Sequence, residues 1–227
     1  MADTPVSLTR NALKTPRAAA IAGIVFALLY GTTLALIYFS IPPEPASASP
    51  AWFETNAGTV SFALNLIPYA GIAFLWFIGV IRDLIKDVED HLFATVFLGS
   101  GLLFLGLTFL GAAFAGGLLS SYTHSPEILV ESGVFTYGRL VMYQIIHIYS
   151  IRMAALFMIS LGTIFIRTGV MHRGWAYLTY GLALVLLLII NFSLLVALIF
   201  PAWVLTISIL ILIRNLHNQP LKDARGT

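Results

Sequence analysis

The chain has no cysteine. Disulfides, thiolate metal sites and cysteine nucleophiles are excluded, and cysteine usage says nothing about redox compartment. Charge is scarce as well. Of 227 residues only 10% are Asp, Glu, Lys or Arg, against about 25% in a soluble globular domain. Twelve basic and ten acidic residues leave a formal net charge of +2, too little for the basic footprint that a phosphate backbone requires. No nucleic-acid partner is expected. So few charges also argue against a solvated disordered chain. The remainder is apolar: 59% of residues are hydrophobic and the mean hydropathy is +0.93. That composition points to an integral membrane protein.

A bilayer core of about 30 Å is crossed by about 20 apolar residues in a helix. Stretches of this kind run at about 18–41, 60–81, 92–119 and 140–166. An unbroken apolar block from Trp175 to Ile213 would rise near 58 Å as one helix. It must therefore fold back, best at Asn191-Phe192-Ser193, into spans at about 175–191 and 194–213. The expected architecture is all-α, a polytopic transmembrane bundle of six spans in one domain over 1–227. A cleaved signal peptide ending near Ala46-Ser47-Ala48 fits less well, because the first apolar stretch is longer than the ~7–15 residues of a signal core.

Basic residues set the orientation. Ten of the twelve fall on one side: Arg10, Lys14, Arg17, Arg82, Lys86, Arg167, Arg173, Arg214, Lys222 and Arg225. The alternate connections, Pro42–Thr59 and Ser120–Gly138, hold none. Both termini are expected in the cytoplasm. Arg139 sits at the outer edge of the fourth span and Arg152 near its middle.

Ala19, Gly23, Ala27, Gly31 and Ala35 recur every four residues in the first span and form a small-residue stripe. Such stripes let helices approach closely. They serve packing within the chain, or docking onto a second copy or another membrane protein. Pro68 and Pro201 lie inside spans and are expected to kink them, leaving the carbonyls of Leu64 and Ala197 without their helical donors.

An arginine near the bilayer midplane costs about 2.5–3.5 kcal/mol on insertion scales. Arg152 therefore needs a partner, and no span offers a carboxylate. Carbonyls freed at a proline, polar side chains or a bound anion remain. At 100° per residue Gln144 lies about 80° from Arg152, with His147 about 60° to its other side. Asn65 and Tyr69, near Pro68, fall at comparable depth. The expected site is an outward-facing polar cavity of Arg152, Gln144, His147, Asn65 and Tyr69. It would bind a small anionic or lipidic ligand or pass a small anion or solute. The opposing reading makes Arg152 purely structural and the protein an accessory subunit docking through its stripes. The expected partners are the lipid bilayer, such a ligand, and a second copy or another membrane protein. No cofactor and no metal site is expected. The acidic run Arg82–His91 reads best as a solvated turn, although Asp83, Asp87, Asp90 and His91 share a helical face.

Enzyme motifs fail on inspection. Gly99-Ser100-Gly101 lacks the G-x-S-G pattern of intramembrane serine proteases, and Ser100 and His147 lie at different depths. Asp83-x-x-x-Asp87 lacks the preceding elements of the lipid phosphatidyltransferases. Only His147 is well inside a span, so a bis-histidine haem is not supported, and no span lysine is available to carry retinal.

The stretch Ile151–Ser160, with Ile166–Val170 and Arg173–Tyr177, resembles a group of bacterial six-span membrane proteins. So does Leu66–Gly71 with Val80–Arg82. The likeness covers about the middle two-thirds of the chain. In that group a proline commonly precedes the cytoplasmic Arg-Trp, whereas here the order is Met171-His172-Arg173-Gly174-Trp175. The resemblance implies the fold and a bacterial inner-membrane home, and no activity.

Overall fold

Hydrocarbon offers backbone amides no water, so an apolar chain that crosses it satisfies them internally as helix. The computed structural model describes residues 15–40, 50–85, 91–124, 132–167, 173–189 and 193–217, and among these there is no strand. The elements are α1 (Thr15–Ser40), α2 (Pro50–Ile85), α3 (His91–His124), α4 (Val134–Gln144), a π-helical segment (Ile145–Ser150), α5 (Ile151–Arg167), α6 (Arg173–Leu188) and α7 (Leu194–His217). The protein is thus all-helical and apolar, as a membrane protein is.

Five helical stretches are long and apolar enough to cross a bilayer, α4, the π segment and α5 forming one of them. The sixth candidate, α6, has 16 residues. At 1.5 Å per residue it rises about 24 Å, short of the ~30 Å hydrocarbon core. The apolar block after Trp175 does break, between Leu188 and Leu194; Asn191 and Phe192 of the expected turn lie outside the described residues. Other helices overrun the apolar stretches that mark them. With 36 residues, α2 is about 54 Å long. Of the acidic run, 86–90 lie outside the described residues.

α1 packs between α2 and α7; α3 lies against α2, α4, the π segment and α5; α6 bridges α5 and α7. Aromatic rings hold one half of the bundle together. Phe74, with no exposed surface, lies 4.6 Å from Phe26 and 5.3 Å from both Phe104 and Phe157, centroid to centroid. Phe97 and Phe157 meet at 4.7 Å, as do Phe104 and Phe200. These tilted and edge-on pairs suit the quadrupole of the rings.

The small-residue stripe of α1 is used inside the chain. Ala19 and Ala27 are buried. A methyl group added at Gly23 would overlap the Ser208 hydroxyl and come within 2.8 Å of the Phe77 ring. Gly31 faces Leu198, and Ala35 is half-buried. Hydrogen bonds between helices add to this. Trp203 Nε1 donates to Thr179 Oγ1 at 2.9 Å, Thr163 and Tyr180 bond through their hydroxyls at 2.8 Å, and Thr33 Oγ1 reaches the Ala63 carbonyl at 3.3 Å.

Candidate ligand cavity

The fourth apolar stretch is not a regular helix. Over Ile145–Ser150 it widens to a π segment, where the Ile151 amide donates to the Ile146 carbonyl five residues back. A π turn holds an additional residue, and such turns frequently sit at functional sites. On α3, Gly111 admits Ile146 of this segment, whose side chain would come within 2.5 Å of an added methyl group. Gly138 on α4 admits Leu118 of α3 in the same way, at 2.8 Å. The two helices are therefore held close on this side.

Beside this seam lies a cavity of about 90 Å³. α1 contributes Leu34, Ile37 and Tyr38; α2 contributes Val60, Leu64 and Ile67; α3 contributes Gly111, Ala112 and Ala115. Arg139, Met142, Tyr143, Ile146 and His147 come from α4 and the π segment, and Ser193, Leu194 and Ala197 from the start of α7. Nearly all of its surface is carbon. Leu64 and Ala197 are also the residues whose carbonyls lose their donors to Pro68 and Pro201. Both prolines are inside continuous helices, and neither lines the cavity itself. The residue one turn before each of them does.

Arg139, Tyr143 and His147 are each four residues apart and form a ladder down one side. The Tyr143 and His147 rings are 4.6 Å apart. His147 also borders a second void of about 20 Å³, which shares Leu34, Ile146 and Ala197 and continues to Tyr30, Phe104, Ile151, Ala154 and Phe200. Near it the Thr108 and Ser150 hydroxyls lie 3.0 Å apart, and both are within reach of the Phe104 carbonyl, at 2.8 and 3.3 Å, so that one hydroxyl donates to the other and the second donates to the carbonyl. The Tyr30 hydroxyl bonds the same Thr108 side chain. These three buried hydroxyls are thus paired, as hydrocarbon demands.

Of the five residues expected to form a site, only His147 lines either void. Arg152 is half-buried. Its guanidinium donates to the Ile148 carbonyl at 3.1 Å, within its own helical stretch. The partner comes from the π segment rather than from a proline kink. Gln144, Asn65 and Tyr69 are exposed on the bundle surface, Tyr69 by 64%. The helical wheel joining Gln144, His147 and Arg152 assumes regular α-helix through Ile145–Ser150, where the chain is π-helical. The residues that do face the cavity, Arg139 and Tyr143, carry a signal in the sequence: R-x-x-x-Y-x-x-x-H, a spacing of four ending on His147. Ser100 is no nucleophile in waiting. Its hydroxyl is buried and donates to the carbonyls of Val96 and Phe97 in its own helix, at 2.6 and 3.1 Å. At the other end of the bundle Arg167 lies 4.6 Å over the Phe93 ring.

No protein-family model, curated protein or solved structure matches the chain.

Proposed function

We propose that this protein is a bacterial inner-membrane protein that binds a small apolar ligand within the bundle, in the cavity bordered by Arg139, Tyr143 and His147. The observation that carries the reading is the carbon lining of a cavity shared by α1, α2, α3, α4, the π segment and α7. Apolar cavities stay dry and take apolar guests, and ligand sites are mostly apolar with a few polar groups that orient the guest. An ion or polar-solute pathway calls for a wetted, polar lining, so of the functions expected from sequence the ligand site fits better. Its centre moves from Arg152 to the ladder on α4.

The chain crosses the membrane six times in this reading, with α6 and α7 as the folded-back pair and both termini in the cytoplasm. The distribution of ten of twelve basic residues supports that orientation. The cavity then lies in the outer half, since its residues cluster toward the connections 41–49 and 125–131.

Native mass spectrometry of the protein released from mild detergent tests the site. The expected result is a retained small-molecule adduct, lost in Ala115→Phe, which fills the cavity. Protein without adduct, or an adduct unaffected by that substitution, sinks the reading. Because the chain has no cysteine, Ser47→Cys and Ala224→Cys report orientation directly. An impermeant thiol reagent on intact spheroplasts should label the first and not the second.

A further inference from the structure

One face of α2 is left unused by the fold. Gly58, Asn65, Ile72 and Gly79 recur every seven residues along it, and all four are exposed. Among the described residues nothing lies within 4 Å of a methyl group added at Gly58 or Gly79. Gly23 on α1, by contrast, is closed off by Ser208 and Phe77.

Asn65 is the residue on this face that lipid cannot serve. The apolar stretch of α2 runs from Thr55 to Asp83, and Asn65 lies about 15 Å along it from Thr55. Its side-chain amide has two N–H donors and an acceptor oxygen. Among the described residues that amide has no hydrogen-bond partner. Hydrocarbon supplies none, whereas a polar group on a neighbouring helix does. We infer that this face of α2 is a homodimer interface, in which Asn65 of each copy bonds Asn65 of the other across a twofold axis normal to the membrane.

Three arguments select a second copy as the partner. The first is depth. Copies of one chain insert with one orientation, so their α2 helices run parallel and their Asn65 amides lie at the same level. A twofold interface sets a residue against itself. The amide is self-complementary there, each N–H donating to the other copy's carbonyl oxygen. A single asparagine in an otherwise apolar seven-residue repeat fixes register and pairing between parallel helices.

The second is charge. Arg82 and Asp83 are exposed near the far end of the same helix. The twofold axis brings Arg82 of each copy toward Asp83 of the other, an opposite pair made twice, in addition to the contact Asp83 makes within its own chain.

The third is the remaining surface. Gly106 and Gly117 on α3 are as open, but α3 has no asparagine or glutamine. Gln144 on α4 is exposed, yet the chain becomes π-helical at the next residue, which breaks a seven-residue repeat. Only α2 joins an exposed amide to a continuous open face among the described residues.

The full chain is tested in two settings, by cross-linking in its membrane and by sedimentation equilibrium in a mild neutral detergent. Because the chain has no cysteine, Ile72→Cys puts a single thiol in the interface, and Leu103→Cys puts one at an exposed position of α3. Oxidation by copper phenanthroline should give a disulfide-linked dimer for Ile72→Cys and monomer for Leu103→Cys. In detergent Asn65→Leu should weaken dimerisation about tenfold, because both amide bonds are lost together. Asn65→Gln should keep most of it, and Gln144→Leu should leave it unchanged. Leucine at an exposed position of an apolar helix suits lipid, so Asn65→Leu reports association rather than folding. A monomer in both settings overturns the inference. So does equal cross-linking of the two cysteine variants, or a dimer as tight in Asn65→Leu as in the unaltered chain. Dissociation by Gln144→Leu places the interface on α4 and overturns the assignment to α2. None of these outcomes depends on the cavity binding a ligand.

Discussion

The half of the bundle around Phe74 and the half around His147 are built from the same helices, yet the first is filled and the second hollow. Around Phe74, rings from α1, α2, α3, α5 and α7 interlock, and Gly23 lets α1 close onto Phe77 and Ser208. Around His147, small residues on α3 (Gly111, Ala112, Ala115) line a space with no large side chain filling it. Pro68, Pro201 and the π segment all bear on this half. The difference teaches how a membrane bundle keeps a void. In water the hydrophobic effect presses such a gap shut. In lipid it does not, because the surrounding tails are as apolar as the side chains, and helix association rests on close packing and hydrogen bonds. A void left by the packing of the helices is therefore not closed by the surroundings.

Substitutions can break or sharpen this contrast. The largest effect is expected at Phe74→Ala, in the filled half. It removes a fully buried ring with aromatic neighbours on four other elements, and should cost about 3–5 kcal/mol in reversible unfolding from mixed micelles. A loss below about 1 kcal/mol would mean that the ring cluster is not the stabilising core.

Arg152→Gln comes next. It removes the charged donor to the Ile148 carbonyl, and hydrogen bonds to charged groups are worth about 1.5–3 kcal/mol. Stability should fall by roughly that much while the adduct is retained, since Arg152 lines neither void. Loss of the adduct with stability intact would return the site to Arg152.

Gly23→Leu tests the same half by overfilling, with about 1–3 kcal/mol lost. Sedimentation in detergent should show an unchanged oligomeric state, because the stripe is occupied by the chain's own residues. A dimer that dissociates in this variant would make the stripe a docking face after all.

The smallest change in stability is expected at Ala115→Phe. The same kind of small-to-large substitution should alter unfolding by less than about 1 kcal/mol, because the new side chain enters existing space rather than displacing neighbours. A cost equal to that at Gly23 would show that the cavity is closed in solution.

Much of this architecture is legible in the order of the residues. Runs of apolar residues announce the helical stretches, and length alone requires the break after Leu188. The stripe on α1 follows from spacing. Even the link from the prolines to a cavity is within reach, through Leu64 and Ala197. The site is legible only in part. His147 stands out as a histidine inside an apolar span. Arg139 reads as a marker of the membrane edge, Asn65 and Tyr69 are drawn into the site by their depth beside Pro68, and Gln144 by a wheel that assumes regular α-helix from end to end.

That last point separates what the sequence determined by itself from what the tertiary structure decided. Composition and run length determined an all-helical membrane protein, because a polypeptide in hydrocarbon must pair every amide internally and the helix does so with local bonds alone. Which side chains share a face was decided by tertiary contacts. A π turn gives up regular local bonding and is held by what packs around it: Ile146 against Gly111, Ser150 bonded to Thr108, and Arg152 on the Ile148 carbonyl. Those partners lie on another helix or one turn further along, where no short window of sequence brings them together. Arg139, Tyr143 and His147 lie along the cavity, and Gln144 lies exposed outside it.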